Sequence, residues 1–405
     1  MKTGCKKVDS YYNGNMIIEL SPDQQRAQDM LMSWYKSQDR PQFITLGGYA
    51  GTGKTTLLSF FRCALNKEKS SLKVAFCSYT GKATQVLRKK LYEHKAMFKD
   101  DEIRTIHSLI YKAVTNERGQ IVGWKRRGKS EVEFDLLVVD EASMVDAEIW
   151  QDLLSFQIPI VAVGDHGQLP PVSGSFNLME NPQLRLEKIH RQAEENPIIQ
   201  LSVMAREYGA ILHGDYGNGV RKLNMEDATP LLENIFMSFT GEHMILCGYN
   251  NSRVRLNSVV RGALGFESPL PCVNDRVICL RNNREKEIYN GMLGYIKEIK
   301  KLAGDMYKVV ISMDSFGGDF LYEGLISSEQ FNSSTTLNNI AGYSKTKDTD
   351  LFDFGYALTV HKAQGSQAKK VVLFEERFGK QDEDMWRRWF YTGITRAEEE
   401  LLIVG

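Results

Sequence analysis

The amino-acid sequence predicts an α/β protein in which the strands of parallel sheets alternate with helices. In the first half, the apolar runs QFITLGG, LKVAFCSYT, FDLLVVDE and IPIVAVGD are followed by helical patterns. The later runs are HMILCGYN, FDFGYALTVHKAQG, KKVVLFEE and ELLIVG. Short apolar runs that alternate with helical segments are typical of parallel sheets. The chain has 405 residues, and a single core stops growing near about 250–300 residues, so we expect at least two domains.

Changes in sequence character suggest where these domains lie. We expect an N-terminal extension over residues 1–19, a first domain over 20–205 and a second over 206–405. Residues from about 108 to 133 contain a turn signal between apolar residues, which predicts an inserted β-hairpin. Residues from about 273 to 345 form short alternating segments separated by Gly, Asn and Asp. This pattern predicts a small β-barrel inserted in the second domain.

Charge and composition restrict the class of partner. Lys plus Arg and Asp plus Glu number 51 each, so a nucleic-acid partner would have to bind in a local groove. The six cysteines form no C-x-x-C pair, which favours reduced thiols in a cytosolic protein. The N-terminus lacks the apolar run of a signal peptide, and no stretch approaches about 18 apolar residues. We therefore expect a cytoplasmic protein without a membrane partner.

The segment GGYAGTGKTT contains the pattern G-x-x-x-x-G-K-T between an apolar strand and a helix. Glycines let backbone N–H groups surround phosphates, and the helix N-terminus adds its positive dipole. Lys54 is expected to reach the β- and γ-phosphates of ATP, and Thr55 to bind Mg²⁺. The predicted nucleotide contacts here are Gly48, Ala50, Gly51, Thr52, Gly53, Lys54, Thr55 and Thr56.

Two further strand ends carry polar residues that complete such a site. In FDLLVVDEASM, Asp140 is expected to hold Mg²⁺ and Glu141 to deprotonate the attacking water. A kinase could show these features too, so the third strand end is decisive. There, VAVGDHGQLPPV places Gln168 in a turn stiffened by two prolines, where an uncharged donor can sense the γ-phosphate. The alternative for this segment is an ordinary proline-rich turn.

From about residue 20 onwards the chain resembles superfamily 1 helicases of the RecD-like and Dda-like branch. The matching motifs occur in the expected order: LSPDQQRA, GGYAGTGKTT, SYTGKATQVL, TIHSLI, VVDEASM, VGDHGQLPPV, LEKIHRQAEENPIIQLS, ALTVHKAQGSQAKKVVL and YTGITRAEEELLIVG. The resemblance implies two tandem RecA-like parallel-sheet P-loop domains, with an SH3-like fold for the inserted barrel. It also implies ATP-driven 5′–3′ movement along single-stranded DNA.

The resemblance assigns further residues to nucleotide and DNA. Gln24 would contact the base of ATP, Gly365 would contribute to the nucleotide site, and Arg191 and Arg396 would act as arginine fingers. For Arg396, a surface salt bridge is the alternative. The implied DNA contacts are Thr80, Lys82, Thr105, His107, Thr359, His361 and Lys362. Residues of these types suit contacts to phosphate and sugar, although a histidine taken singly is more often packed in the fold.

The predicted hairpin carries Trp124 beside Lys125, Arg126 and Arg127, which favours a wedge at a DNA fork. Packing of Trp124 against the first domain is the alternative. The expected function is an ATP-dependent DNA helicase that acts on single-stranded, forked and tailed DNA, as a monomer and alongside replication or recombination proteins. A remodelling translocase and a nucleotide-switched binding module are the competing functions.

Overall fold

The computed structural model divides the chain into two compact units. The first comprises Met1–Tyr79 and Ala83–Glu194, and the second comprises Thr80–Lys82 and Glu195–Gly405. The residues that the structure describes are 11–13, 16–18, 20–115, 121–171, 176–189, 195–283, 286, 288–314, 320–337, 349–379 and 382–405.

The first unit contains a six-stranded parallel sheet with helices in its connections. The strand order is β10-β3-β9-β8-β4-β5. The strands are β3 (Phe43–Gly48), β4 (Val74–Ser78), β5 (Glu102–Thr105), β8 (Leu136–Asp140), β9 (Ile160–Gly164) and β10 (Leu184–Leu186). The helices are α1 (Pro22–Lys36), α2 (Lys54–Glu68), α3 (Gly81–Glu93), α4 (Ile106–Ile110) and α5 (Ala147–Leu154). Before α1, the short strands β1 (Tyr11–Asn13) and β2 (Met16–Ile18) form an antiparallel pair.

The apolar runs noted in the sequence form the centre of this sheet. β4 and β9 are buried along their whole length, as expected for strands covered on both faces. Gly47 of β3 is the register partner of Gly164 of β9, and Ser78 of β4 is the partner of Asp140 of β8. The carboxyl ends of these four strands therefore lie at one edge of the sheet, where open parallel sheets bind ligands.

A β-hairpin lies within the stretch 108–133 that the sequence indicated as an insertion. It consists of β6 (Tyr111–Thr115) and β7 (Ile121–Arg126), while residues 116–120 lie outside the described residues. Tyr111 donates its hydroxyl hydrogen bond to Asp152 of α5, and the guanidinium of Arg126 lies 3.4 Å from the same carboxylate. Burial and Asp152 raise the pKa of Tyr111, so this anchor of the hairpin base stays protonated.

The second unit contains another sheet of six strands in the order β11-β12-β21-β20-β13-β19. All neighbours are parallel except β11 and β12. The strands are β11 (Gly214–Gly217), β12 (Val220–Leu223), β13 (His243–Cys247), β19 (Ala357–Thr359), β20 (Ala368–Phe374) and β21 (Ala397–Val404). The helices are α6 (Pro197–Tyr208), α7 (Met225–Met237), α8 (Asn250–Ala263) and α9 (Glu383–Ile394).

Helix α6 belongs to the second unit, although the sequence boundary after residue 205 assigned most of it to the first domain. The helix is capped by Gly209, which adopts a left-handed conformation with φ 66°. The carbonyl of Gly209 accepts a hydrogen bond of 2.7 Å from Trp386 Nε1 on α9. This contact and the burial of Leu201 and Ala205 tie α6 to residues far along the chain, which local pattern does not reveal.

A five-stranded antiparallel sheet is inserted between β13 and β19 of the second unit. Its strand order is β17-β16-β15-β14-β18. The strands are β14 (Arg276–Cys279), β15 (Leu293–Lys301), β16 (Met306–Met313), β17 (Phe320–Ser327) and β18 (Phe352–Phe354). The N–H of Asp350, just before β18, donates to the carbonyl of Leu325 on β17 over 2.7 Å. The two edges of the sheet therefore approach each other, while its assignment as an SH3-like barrel stays a prediction.

Within the second unit, one face of α8 contacts the inserted sheet and the segments beside it. Arg253, Asn257 and Arg261 follow one another at intervals of four residues, and all three are buried. The guanidinium of Arg261 donates to both carboxylate oxygens of Asp275, over 2.8 Å and 3.0 Å. Asp275 also accepts from the hydroxyl of Tyr356 over 2.9 Å, so its charge is well satisfied although it is fully buried.

We expect Asp275→Asn to lower the free energy of unfolding by about 3 kcal/mol, because the buried Arg261 charge would lose its counter-charge. Urea denaturation of the full chain measures this loss. Asp215→Asn is the matched control, since the ion pair of Asp215 with Arg221 is exposed to solvent. Equal midpoints for the two variants would contradict a structural role for Asp275.

No helix in the part of the chain that the structure describes is both long and apolar enough to cross a membrane.

Candidate nucleotide site and nucleic-acid segments

The phosphate loop connects β3 to α2 in the first unit. Gly53 caps the N-terminus of α2 in the left-handed region, with φ 75°, a conformation that favours glycine. A Cβ atom on Gly48 would lie only 2.6 Å from Thr52 Oγ1, so the loop is tight there. The predicted phosphate contacts lie together along this loop and the first turn of the helix: Gly48, Ala50, Gly51, Thr52, Gly53, Lys54, Thr55 and Thr56.

Lys54 lies over the phosphate loop and binds its backbone. Its ammonium group donates to the carbonyl oxygens of Gly48 over 2.6 Å and Tyr49 over 3.0 Å. Asp165 Oδ2 lies 3.9 Å from the same nitrogen. The positive charge therefore lies within the loop that would surround the phosphates.

Asp140 ends β8, and Glu141 follows it directly. The N–H of Glu141 donates to Asp140 Oδ1 over 3.0 Å. Burial raises the pKa of Asp140, while this N–H and the charge of Lys54 act in the opposite direction. Glu141 adopts a left-handed conformation with φ 54°, which is unfavourable for a residue with a Cβ atom. Such a backbone turns the Glu141 side chain away from the direction that a continued strand would give it.

Thr55 and Asp140 supply a hydroxyl and a carboxylate oxygen at this edge of the sheet. Mg²⁺ prefers oxygen ligands and is usually held by one or two carboxylates, with substrate phosphates and water completing the shell. Among the described residues, no group of three or more His, Cys, Asp or Glu side chains could hold a metal ion. The Thr55 hydroxyl and the Asp140 carboxylate fit a magnesium ion whose remaining ligands are nucleotide phosphates and water.

Gln168 follows β9 and is buried, like Asp165 three residues before it. The backbone N–H of Gln168 donates to the carbonyl of Asp165 over 3.2 Å, and the N–H of Gly167 donates to Asp165 Oδ1 over 2.9 Å. Asp165 thus organises the turn that carries Gln168 while it faces Lys54. The sequence analysis assigned no role to Asp165; its place after a buried strand was the available signal.

Gln24 supports the phosphate loop. It lies in the first turn of α1, where Ser21 caps the helix, and its Oε1 accepts from the N–H of Ser21 over 3.0 Å. Its Nε2 donates to the carbonyl of Thr52 over 3.0 Å. The contact of Gln24 with the base of ATP stays a prediction, and the loop contact is a second role that the sequence did not indicate.

Thr105 ends β5 and caps α4. Its hydroxyl accepts a hydrogen bond of 3.2 Å from the N–H of Ser108, and its side chain is buried. Thr105 is also the register partner of Ser78, so α4 begins at the same edge of the sheet as the nucleotide residues. The capping bond gives the Thr105 hydroxyl a structural role beside the predicted contact with DNA.

His107 lies between two aromatic rings and is half-buried. The ring centroids of Tyr79 and Tyr111 lie 5.8 Å and 5.7 Å from that of the histidine. Packing is therefore one role of His107, as the alternative allowed.

In the hairpin, Trp124 lies on the second strand, β7, where it is the register partner of Ala113.

Three of the predicted site residues, Thr80, Lys82 and Arg191, are not among the described residues of the first unit. Thr80 precedes α3, and Lys82 lies in its first turn; both are grouped with the second unit. Arg191, the first proposed arginine finger, lies outside the described residues.

The predicted DNA contacts of the second unit follow β19. Thr359 accepts from the N–H of Lys362 over 3.4 Å, and Lys362 Nζ donates to Asn290 Oδ1 over 3.2 Å. Burial lowers the pKa of both Lys362 and His361. Gly365, in the same segment, has a φ of 71°. Asn290 comes from the turn before β15, and no local pattern in the sequence pointed to it.

Arg396 lies between α9 and β21 with only 3% of its surface exposed. Its guanidinium donates to the carbonyls of Thr392 over 2.9 Å and Ser366 over 3.2 Å, and to Thr395 Oγ1 over 3.0 Å. Because Arg396 is buried, the alternative of a salt bridge at the surface is wrong. These three contacts with neutral oxygens orient the guanidinium.

Comparison with known families agrees with this arrangement. The family model described as an AAA domain matches residues 19–225, a range that holds the phosphate loop and the two further strand-end motifs. The chain belongs to the AAA domain family. The model of a UvrD-like helicase C-terminal domain matches residues 354–404, which include β19, β20 and β21. The chain is similar to superfamily 1 helicases of the RecD-like and Dda-like branch.

Two curated relatives illustrate that branch. This chain is 27% identical over 395 residues to the ATP-dependent RecD2 DNA helicase of Deinococcus radiodurans. The match covers 90% of this chain and 47% of that protein. It is 24% identical to the ATP-dependent DNA helicase dda of Enterobacteria phage T4, across 95% of this chain and 99% of that protein. The chain thus spans about half the length of the first relative and nearly all of the second.

Solved structures of Pif1 helicases share the fold. A structure of Pif1 at forked double-stranded DNA has a TM-score of 0.56 at 19% identity and covers 95% of this chain and 92% of its own. Bacteroides Pif1 in complex with ADP-AlF3 and single-stranded DNA has a TM-score of 0.55 at 18% identity, with the same coverage. An α/β fold with a parallel-sheet P-loop domain is therefore confirmed for this AAA-domain chain.

Proposed function

We propose that this chain is an ATP-dependent DNA helicase that moves 5′–3′ along single-stranded DNA and separates the duplex ahead of it. The observation that carries the proposal is the convergence of Lys54, Asp140, Glu141 and Gln168 at adjacent strand ends of one parallel sheet. The names of the RecD2 and dda relatives support the same activity. In the second unit, Arg396 directly precedes β21, and its guanidinium donates to two backbone carbonyls.

In this proposal, each residue of the nucleotide site has a separate role in ATP hydrolysis. Lys54 binds the transferred phosphoryl group, and its charge stabilises the negative charge that develops there. Glu141 accepts a proton from the attacking water, and Gln168 responds to the presence of the γ-phosphate. Arg191 and Arg396 would add positive charge in the transition state. Thr55 and Asp140 would hold Mg²⁺, which would neutralise charge at the phosphate oxygens.

DNA is held by side chains that suit the phosphate and sugar backbone. In this proposal the first set comprises Thr80, Lys82, Thr105 and His107, and the second comprises Thr359, His361 and Lys362. The lowered pKa of Lys362 reflects burial, and a DNA phosphate would restore a favourable environment for its charge. Single-stranded and tailed DNA are the proposed substrates, and the chain is proposed to act as a monomer in replication or recombination.

The rate of ATP hydrolysis with and without a single-stranded oligonucleotide tests this proposal. Strong stimulation is expected, together with unwinding of a 5′-tailed duplex but not of 3′-tailed or blunt substrates. Stimulation without strand separation would favour a remodelling translocase. Hydrolysis that no nucleic acid accelerates would favour a nucleotide-switched binding module and would reject the motor.

The β6–β7 hairpin is proposed as the wedge that separates the strands. Its base is anchored to α5 through Tyr111 and Arg126, and Lys125 is exposed beside Trp124. We expect Trp124→Ala to reduce the unwinding rate by roughly 5- to 150-fold, since base–aromatic stacking contributes about 1–3 kcal/mol. DNA-stimulated hydrolysis should change much less, because stepping along the strand does not require the wedge.

Strand displacement and hydrolysis measured on the same preparation check this prediction. Trp124→Phe is the matched control, because it keeps an aromatic face. Deletion of residues 115–123 should give the same separation of the two activities. A parallel loss of hydrolysis and unwinding would assign the hairpin to folding or DNA binding instead, and no change in either would make it peripheral.

A further inference from the structure

An aromatic contact joins the phosphate loop to the loop that carries Gln168. The rings of Tyr49 and His166 have centroids 4.0 Å apart, with an angle of 47° between their planes. Each residue lies two positions after a member of the register pair Gly47 and Gly164. The two loops are therefore linked by side chains as well as by the strands beneath them.

The position of His166 is tightly restricted. A Cβ atom on Gly47 would lie 2.9 Å from His166 Nδ1 and 2.4 Å from Pro182 Cγ. The imidazole is thus packed directly over the backbone of β3, and only glycine leaves room for it. Because the imidazole cannot move towards the sheet, a displacement of the Tyr49 ring is transmitted along the loop that His166 occupies.

The backbone of Tyr49 is held by the residue that must move when ATP binds. Its carbonyl accepts from Lys54 Nζ over 3.0 Å, from Thr52 Oγ1 over 2.8 Å and from the N–H of Thr52 over 3.3 Å. Under the proposed function, Lys54 would turn from this carbonyl to the phosphates of ATP, and the carbonyl would then lose its charged donor. Nucleotide binding therefore changes the forces on Tyr49 directly.

The other end of the contact adjoins the γ-phosphate sensor. His166 follows Asp165, whose carboxylate faces Lys54 at 3.9 Å and whose carbonyl accepts from the N–H of Gln168 over 3.2 Å. We infer that Tyr49 and His166 are positioning residues that pass the state of the nucleotide site to Gln168. This inference rests on the proposed function and deepens it, since it names how ATP occupancy reaches the sensor loop within the first unit.

The inference predicts a separation between binding and turnover. The groups that bind ATP near Tyr49 are backbone N–H groups and Lys54, so loss of the Tyr49 ring leaves them in place. Tyr49→Ala and His166→Ala should keep the Kd for a fluorescent ATP analogue within about threefold of wild type. Each should lower kcat in the presence of DNA by about 2- to 30-fold, the range that coupling energies of about 0.5–2 kcal/mol produce.

The test combines both single variants with the double variant in the full chain. If the rings act as one unit, the double variant should be no slower than the slower single variant. Tyr49→Phe keeps the ring and should restore kcat and the number of base pairs unwound per ATP. Tyr49→Leu replaces Tyr49→Ala if the latter melts at a lower temperature than wild type.

Several outcomes would overturn the relay. Additive losses in the double variant would mean that the two side chains act independently. A loss of nucleotide affinity as large as the loss of kcat would assign Tyr49 to binding, and a Tyr49→Phe variant as slow as Tyr49→Ala would show that the ring contact is not the cause. Failure of the proposed function is distinct, because the wild-type protein itself would then show no stimulation by DNA.

Discussion

Lys54→Ala should lower the rate of ATP hydrolysis by about 10²–10³-fold or more, since contacts to developing charge typically contribute that much. The ammonium group is the positive charge that the phosphate loop itself supplies to the site, and it already lies over that loop on two carbonyl oxygens. An alanine leaves the phosphates to backbone N–H groups alone. Steady-state hydrolysis with saturating single-stranded DNA measures the loss.

Lys36→Ala is the matched control for this substitution. Lys36 lies at the end of α1 in the same unit and pairs with Glu68 at the surface, so its removal should leave hydrolysis within about twofold of wild type. Retention of more than about a tenth of the wild-type rate by Lys54→Ala would contradict the assignment of the lysine, given the usual size of such contacts.

Glu141→Gln should stop turnover while ATP and DNA binding persist. Glutamine keeps the size of the side chain and removes only the carboxylate that accepts the proton, a loss that typically costs about 10²–10⁴-fold. The left-handed backbone at this position is unchanged, because both residues carry the same Cβ atom. Single-turnover hydrolysis and equilibrium binding of a fluorescent ATP analogue separate the two effects.

The exposed Glu148, in the first turn of α5, provides the control for Glu141. Glu148→Gln should hydrolyse ATP at the wild-type rate, because its carboxylate belongs to a helix N-terminus on the surface. If Glu141→Gln instead loses nucleotide affinity as severely as Lys54→Ala, Glu141 binds the nucleotide and the base lies elsewhere.

Much of the nucleotide site was predictable because its signals are local. An apolar run followed by a glycine or a carboxylate predicts both the strand and the end that carries the candidate site residues, as at Gly48 and Asp140. Parallel strands then bring these ends to one edge of the sheet, whatever the order of the strands. The sequence therefore predicted an α/β fold and the residues of its phosphate loop together.

The remaining features depend on contacts between distant parts of the chain. Asn290 reaches Lys362 from the inserted sheet, and Gln24 reaches the carbonyl of Thr52 from a helix that precedes the loop. Neither pairing leaves a periodic signal in the sequence. Thr105 illustrates a second limit, because one hydroxyl can suit both a helix cap and a phosphate contact.

The position of β21 has a consequence for biosynthesis. In the second unit, β21 lies between β12 and β20, and Val220 of β12 pairs with Leu401. A ribosome adds about 5–20 residues per second. Strand β12 therefore stays without its parallel neighbour β21 until most of the second unit has been synthesised. The sheet of the first unit needs no strand beyond β10 and can form early. The nascent chain should therefore acquire a protease-resistant first unit well before the second, and chaperones that protect unpaired strands should act mainly on the second.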